Sequence, residues 1–219
     1  MTKMPAVSDE TIARARRRSS ATLHEAAGKS GALPPAIKPL SPDVCVCGRA
    51  YPVSSPSGDN LWLHHAIYAA DRNEVLVIDV GEDPEFGYWG EIMTVAAQVR
   101  GLSGVVMNGG VRDGRRILAM NFPVFAHSTC IRGTGKDPLG KGSLGAPITL
   151  GRVTIVRGDL VFGDGDGVVV LPAASAAAIV EEGERRDAAE DEIFGRLRSG
   201  ATTLAVYGLP ALPAAPVPV

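Results

Sequence analysis

The sequence predicts an α/β fold with a central parallel βαβ region, a β-hairpin region after it and a long C-terminal helix. Three observations carry that prediction. Apolar runs of strand length at residues 74–80 (EVLVIDV), 104–107 (GVVM) and 123–126 (PVFA) are separated by helical stretches at 88–100 and 114–120. Strands and helices that alternate in this way pair in parallel, with the helices crossing over the sheet. Past residue 146 the pattern changes to short apolar runs at 147–150, 153–156, 160–162 and 167–171, the last two joined by the turn Gly163-Asp-Gly-Asp-Gly. Residues 173–199 then read as one helix with a charged face that includes Glu181, Glu184, Arg185, Glu190 and Glu192.

The flanking segments follow from local signals. Ser8 is a candidate N-cap for an Arg-rich helix, and residues 8–29 make one or two helices that stop at Gly28. From Pro34 the chain becomes strand-like, first at 44–51, with Pro and Gly as punctuation. Residues 1–207 are expected to form a single domain, and the Pro/Ala-rich residues 208–219 a flexible tail.

Composition narrows the function. Hydrophobic residues at 45% and charged residues at 21% suffice for a sizeable core. The 22 basic and 24 acidic residues leave a formal charge of -2, which offers no field for phosphate backbones or anionic membrane, so neither nucleic acid nor membrane is an expected partner. The N-terminus mixes Asp9 and Glu10 with Arg14, Arg16, Arg17 and Arg18 and does not read as a secretion signal. Three cysteines, Cys45, Cys47 and Cys130, make no disulfide framework, and a reducing cytoplasm is expected. Cys45 and Cys47 would share one side of a strand; with no second pair to complete a zinc site, they read as buried thiols.

Two strand-to-helix junctions stand out as chemistry. In residues 105–114 (VVMNGGVRDG) a buried strand runs into a Gly pair and then a helix, which places Asn108, Arg112 and Asp113 beyond the carboxyl end of a strand, where ligands gather in open α/β sheets. Gly109 and Gly110 allow a tight turn and a close approach to a ligand. Asp113 as a helix cap and Arg112 as a solvated surface charge remain the alternative reading. In residues 87–93 (GYWGEIM) a helix starts directly after another strand, and its unpaired N–H groups suit a carboxylate, with Gly90 leaving the approach open. Together the junctions describe a site for an anion plus a metal ion. Other candidates carry less. His64 and His65 would project to opposite faces of a strand, and residues 133–137 (GTGKD) lack the full spacing of a phosphate loop.

Residues 104–113 (GVVMNGGVRD), 121–126 (NFPVFA) and 158–172 (GDLVFGDGDGVVVLP) together resemble the class II pyruvate aldolases acting on 4-hydroxy-4-methyl-2-oxoglutarate and 4-carboxy-4-hydroxy-2-oxoadipate, whose fold the regulator of ribonuclease activity A shares. Residues 21–28 (ATLHEAAG) and 133–142 (GTGKDPLGKG) look more like the aldolase branch. The resemblance implies an αββα sandwich assembled as trimers or hexamers with the site between subunits, a small 2-oxo acid substrate, and retro-aldol cleavage to pyruvate with oxaloacetate decarboxylation as a side activity. It also implies Asp113 as the ligand of Mg2+ or Mn2+, Arg112 at the keto oxygen, and the amides of Ile92 and Met93 on the substrate carboxylate. Glu91 falls at an acidic position near the metal's waters, and Glu190 is the candidate acid delivered by a neighbouring subunit. Where the family usually reads Asp-Gly-x-x-Arg-Asp, this chain has Asn108, which accepts hydrogen bonds but carries no charge. The competing implication is a non-catalytic regulator that binds ribonuclease E or another protein.

Overall fold

The computed structural model describes residues 6–212. Two short helices, α1 (Asp9–Ala15) and α2 (Ser20–Ala26), open the chain, and each is capped by a serine, Ser8 or Ser19, whose hydroxyl accepts from the third residue on. The chain then lays down β1 (Lys38–Pro39), β2 (Val46–Ser54), α3 (Leu61–Ala69), β3 (Glu74–Asp79), β4 (Gly87–Trp89) and α4 (Glu91–Arg100). Next come β5 (Gly104–Met107), β6 (Gly110–Val111), α5 (Gly114–Ala119), β7 (Val124–Ala126), β8 (Ser128–Thr129) and β9 (Ser143–Leu144). The hairpin region consists of β10 (Ile148–Leu150), β11 (Val153–Ile155), β12 (Leu160–Asp164) and β13 (Gly167–Leu171). Helices α6 (Ala176–Arg198) and α7 (Thr203–Tyr207) end the described chain.

The main sheet runs β1-β7-β5-β3-β2-β12-β13, with β9 beside β2. Its centre, β2, β3, β5 and β7, is parallel, and the antiparallel strands β1, β12 and β13 flank it. Side-chain alternation divides the core three ways. Val75, Val77, Val106, Phe125, Val161, Val168 and Val170 point to one face and form an inner core that the β10–β11 hairpin plugs through Ile148, Leu150 and Ile155. Their neighbours Leu76, Ile78, Val105, Met107 and Val124 point outward beneath α3, α4 and α5. Leu160, Phe162, Val169 and Leu171 do the same beneath α1, α2 and α6. A sheet with one face turned inward along its whole width is strongly curled, and a hydrogen bond from Lys38 Nζ to the Asp166 carbonyl joins its two ends.

The mixed α/β class, the parallel centre, the hairpin region and the long last helix match the sequence prediction. Four details differ. The helix expected from residue 88 begins at Glu91, because Tyr88 and Trp89 are fully buried in a short strand first. His64 and His65 lie on helix α3, not a strand, so they differ by about 100° of helical rotation rather than facing opposite ways. Cys45 precedes β2 and is exposed, whereas Cys47 is buried. Residues 203–207 add a helix, and of the expected tail only 208–212 fall within the described residues. No helix of the described chain is long and apolar enough to cross a membrane.

Phe125 sits at 0% exposure in the inner core, its ring against Gly163 of β12. Phe125→Ala is therefore expected to lower unfolding stability by about 3–5 kcal/mol in urea titration. A loss under about 1 kcal/mol would show that the inner core collapses around the cavity.

Candidate active site

A second, three-stranded parallel sheet, β4-β6-β8, sets the two junctions side by side. β4 leads into α4 and β6 into α5, so both helix starts emerge at one edge. The Arg112 amide donates to the Trp89 carbonyl at 2.9 Å and locks the junctions together. Trp89 holds the first turn of α4 from below, its indole donating to Thr94 Oγ1 at 2.8 Å while that hydroxyl donates to the Gly90 carbonyl at 3.0 Å.

Asp113 is the pivot. It occupies the N-cap position of α5 in the left-handed region, φ 59°, yet its side chain does not cap that helix. Its Oδ2 instead accepts from the Glu91 amide at 3.2 Å, across the gap at the start of α4. Aspartate tolerates left-handed backbone better than most residues, but the conformation still costs energy and persists where the surroundings impose it. Gly90 is required by the same geometry. A Cβ there would lie 2.8 Å from Asp113 Oδ2 and 3.2 Å from Arg112 Cγ.

A cleft of about 200 Å³ opens over these junctions, lined by Gly90, Glu91, Ile92, Met93, Arg112 and Asp113 together with residues from β4, α3 and the segment after β8. Arg112 is half exposed; its guanidinium comes no nearer than 3.9 Å to Asp113 and makes no hydrogen bond among the described residues. The amides of Ile92 and Met93, in the open first turn of α4, likewise have no acceptor there. Glu91 reaches the cleft already paired, its Oε2 at 2.5 Å from Arg116 Nη1 of α5. That pairing stabilises the guanidinium of Arg116 and raises its pKa, with the Glu91 hydrogen bond as the main cause.

Two expected site residues are not among the cleft residues. Asn108 is spent on a turn: its Oδ1 accepts from the Val80 amide and its Nδ2 donates to Asp79 Oδ1, both at 2.8 Å. Gly109 and Gly110 also approach protein rather than ligand, against Tyr88 and the Phe86 carbonyl. Glu190 lies on α6, which packs on α1 and α2, so its own chain does not bring it to the cleft.

Three further residues line the cleft: Asn60, the N-cap of α3, which the sequence reading did not single out, and His64 of α3 and Lys136, which it weighed and set aside. Lys136 sits on a strap, residues 133–140, that Asp59 clasps. The buried Asp59 carboxylate accepts from the Leu61 amide at 2.8 Å and from the Asp137 amide at 2.5 Å, and the Gly135 amide donates to the Gly58 carbonyl at 2.7 Å. The Gly133-Thr-Gly-Lys-Asp run was the available signal, since it places a lysine in a loop of small residues. Among the described residues, no group of three or more His, Cys, Asp or Glu side chains is arranged to hold a metal ion.

Gly90→Ala should push the Asp113 carboxylate off the Glu91 amide while the core stays intact. Hydrogen exchange at the Glu91 amide is expected to speed up about fivefold or more, with β5 protection unchanged. Unchanged exchange at Glu91 would contradict the steric argument.

The family model described as RraA-like, Aldolase/RraA, matches residues 4–170. A Halalkalibacterium halodurans protein provisionally named as a 4-hydroxy-4-methyl-2-oxoglutarate aldolase is 37% identical over 156 residues, 71% of this chain and 73% of that protein. The crystal structure of Streptomyces coelicolor RraAS2, described as an unusual member of the RNase ES inhibitor RraA protein family, superposes with a TM-score of 0.73 at 26% identity, covering 88% of this chain and 99% of that one. A Pseudomonas syringae pv. tomato protein shares the fold at a TM-score of 0.84 and 24% identity, over 95% of this chain and 97% of that one. With its fold, its junction motifs and more than half its length matching, the chain belongs to the Aldolase/RraA family.

Proposed function

We propose that this chain is a carbon–carbon lyase, dependent on Mg2+ or Mn2+, that splits a 4-hydroxy-2-oxo dicarboxylic or tricarboxylic acid into pyruvate and a second oxo acid. Oxaloacetate decarboxylation is the expected side activity, since it yields the same enolate. The observation that carries this reading is the Arg112 guanidinium, 3.9 Å from Asp113 and free of hydrogen bonds among the described residues, and the acceptor-free amides of Ile92 and Met93, all in one cleft.

The donor set fits a hard divalent cation held mainly by water and substrate. Asp113 Oδ1 has no partner among the described residues, while Glu91 is neutralised by Arg116. When bound, the cation would draw negative charge onto the 2-oxo oxygen of the substrate. The chain's own groups do the rest. The amides of Ile92 and Met93 hold the substrate carboxylate at the positive end of α4. Arg112 donates to the keto oxygen as it becomes an enolate, a charge that exists only after the C3–C4 bond begins to break, so the contact favours the transition state over the ground state. The C4 hydroxyl loses its proton in the same step. A water positioned by the Glu190 carboxylate of a neighbouring subunit takes that proton, as Glu91 is already paired, and the enolate leaves as pyruvate once a proton is returned to C3.

A trimer or hexamer with the site at the subunit interface suits this arrangement. Ile92 and Val99 on α4 are each 79% exposed beside the cleft, an apolar surface that a second copy would cover. The likeness to RraAS2 favours one other reading, a protein regulator, in which Arg112 and Asp113 would have no chemical task.

The two central residues separate in the test. Asp113→Asn is expected to weaken Mn2+ binding and abolish turnover together, because an amide is a poor ligand for a hard cation. Arg112→Lys should keep Mn2+ affinity yet lose about 2.7–4 kcal/mol of transition-state stabilisation, roughly 10²- to 10³-fold in kcat, since an ammonium does not reproduce the planar fork of donors. Calorimetric Mn2+ titration beside kcat for oxaloacetate decarboxylation reads both; near wild-type kcat in Arg112→Lys would overturn the assigned role.

A further inference from the structure

The peptide that opens α4, between Gly90 and Glu91, is held at both ends. Its amide is the group that donates to Asp113 Oδ2 at 3.2 Å. Its carbonyl accepts twice from Thr94, from the backbone amide at 3.0 Å and from the hydroxyl at 3.0 Å. A threonine bonded back to the carbonyl four residues earlier is a common habit of helices and alone implies no function. Here the hydroxyl is itself driven, because the Trp89 indole donates to Thr94 Oγ1 at 2.8 Å.

The direction of every link is determined. An indole N–H only donates and a carbonyl only accepts, so the single hydroxyl proton of Thr94 lies toward Gly90. The chain therefore runs one way, from the Trp89 indole through the Thr94 hydroxyl and the Gly90–Glu91 peptide to the Asp113 carboxylate. Trp89 and Thr94 are both 0% exposed, and in such surroundings successive hydrogen bonds polarise one another. Donors on the carbonyl draw electrons through the C–N resonance of the peptide and make the Glu91 N–H a stronger donor. Asp113 depends on that donor. It stands in left-handed backbone, makes no capping bond to α5, and its carboxylate has no other hydrogen bond among the described residues.

We propose that Thr94 is a positioning residue for Asp113, acting through the Gly90–Glu91 peptide. Its hydroxyl, with the Trp89 indole behind it, tightens the Glu91 amide on Oδ2 and so leaves Oδ1 as the free oxygen for a cation. The inference rests on the metal-dependent reading and adds to it a buried residue that touches neither substrate nor cation.

The test compares Thr94→Val, which keeps the shape of the side chain but not its hydroxyl, with Thr94→Ser, which keeps the hydroxyl but not the methyl. Two quantities are read: Mn2+ affinity by calorimetry, and hydrogen exchange at the Glu91 amide of the metal-free protein, relative to the amides of β5. Thr94→Val is expected to weaken Mn2+ binding about fivefold or more and to speed Glu91 exchange about threefold or more. Thr94→Ser should stay within about twofold of wild type on both, although its missing methyl lowers stability. A merely structural role would make affinity follow stability instead. The double variant Trp89→Phe/Thr94→Val leaves no orphaned indole N–H and is expected to show the same losses, so the test stays readable if Thr94→Val alone folds poorly. Values for these valine variants within about twofold of wild type on either quantity, or a Thr94→Ser loss as large as theirs, overturn the proposal and leave the metal-dependent reading standing. Absence of Mn2+ binding by the wild-type protein overturns that reading and this proposal with it.

Discussion

The bond from the Glu91 amide to Asp113 Oδ2 is the constraint on which the site depends. It joins the start of α4 to the start of α5, and it exists only because Asp113 adopts a left-handed backbone and Gly90 has no side chain. Had Asp113 a helical or extended conformation, its carboxylate would cap α5 or face solvent, and Arg112 would not stand over the open amides of α4.

Charge is distributed to match. Glu91 and Arg116 neutralise each other at the rim, and what remains without a hydrogen bond among the described residues is the Arg112 guanidinium, one oxygen of Asp113, the Lys136 ammonium and the first amides of α4. That surplus of positive and donor groups around one carboxylate suits an anionic, oxygen-rich ligand. Side chains among the described residues make no multidentate metal cluster, and in the proposed scheme the substrate would supply most of the cation's oxygens.

Much of the fold was legible because its strands are simple. The runs at 74–80, 104–107 and 123–126 are apolar on both faces, as parallel strands covered on both sides must be, and the Gly163-Asp-Gly-Asp-Gly turn marks the β12–β13 hairpin. Residues 61–69 (LWLHHAIYA) were harder, since apolar residues at nearly every position hide the helical period, and only Leu63, Ala66 and Ile67 turn out to be buried. In the site, the Arg-Asp pair was visible as a motif at a strand end, whereas the third wall was not. Lys136 reaches the cleft through a clasp between Asp59 and Asp137, 78 residues apart, and Asn60 turns towards Tyr88 while Asp59 serves the start of α3. Asn108 shows the converse: a polar residue in the right motif whose hydrogen bonds are consumed by the neighbouring turn at Asp79 and Val80.

The most direct measurement is pyruvate release from 4-hydroxy-4-methyl-2-oxoglutarate by the purified protein, first stripped with a chelator and then supplied with Mg2+ or Mn2+. The account predicts no release in chelator and full recovery with either cation. Undiminished release in chelator would contradict the part given to Asp113, and no release under any condition would contradict the lyase reading itself.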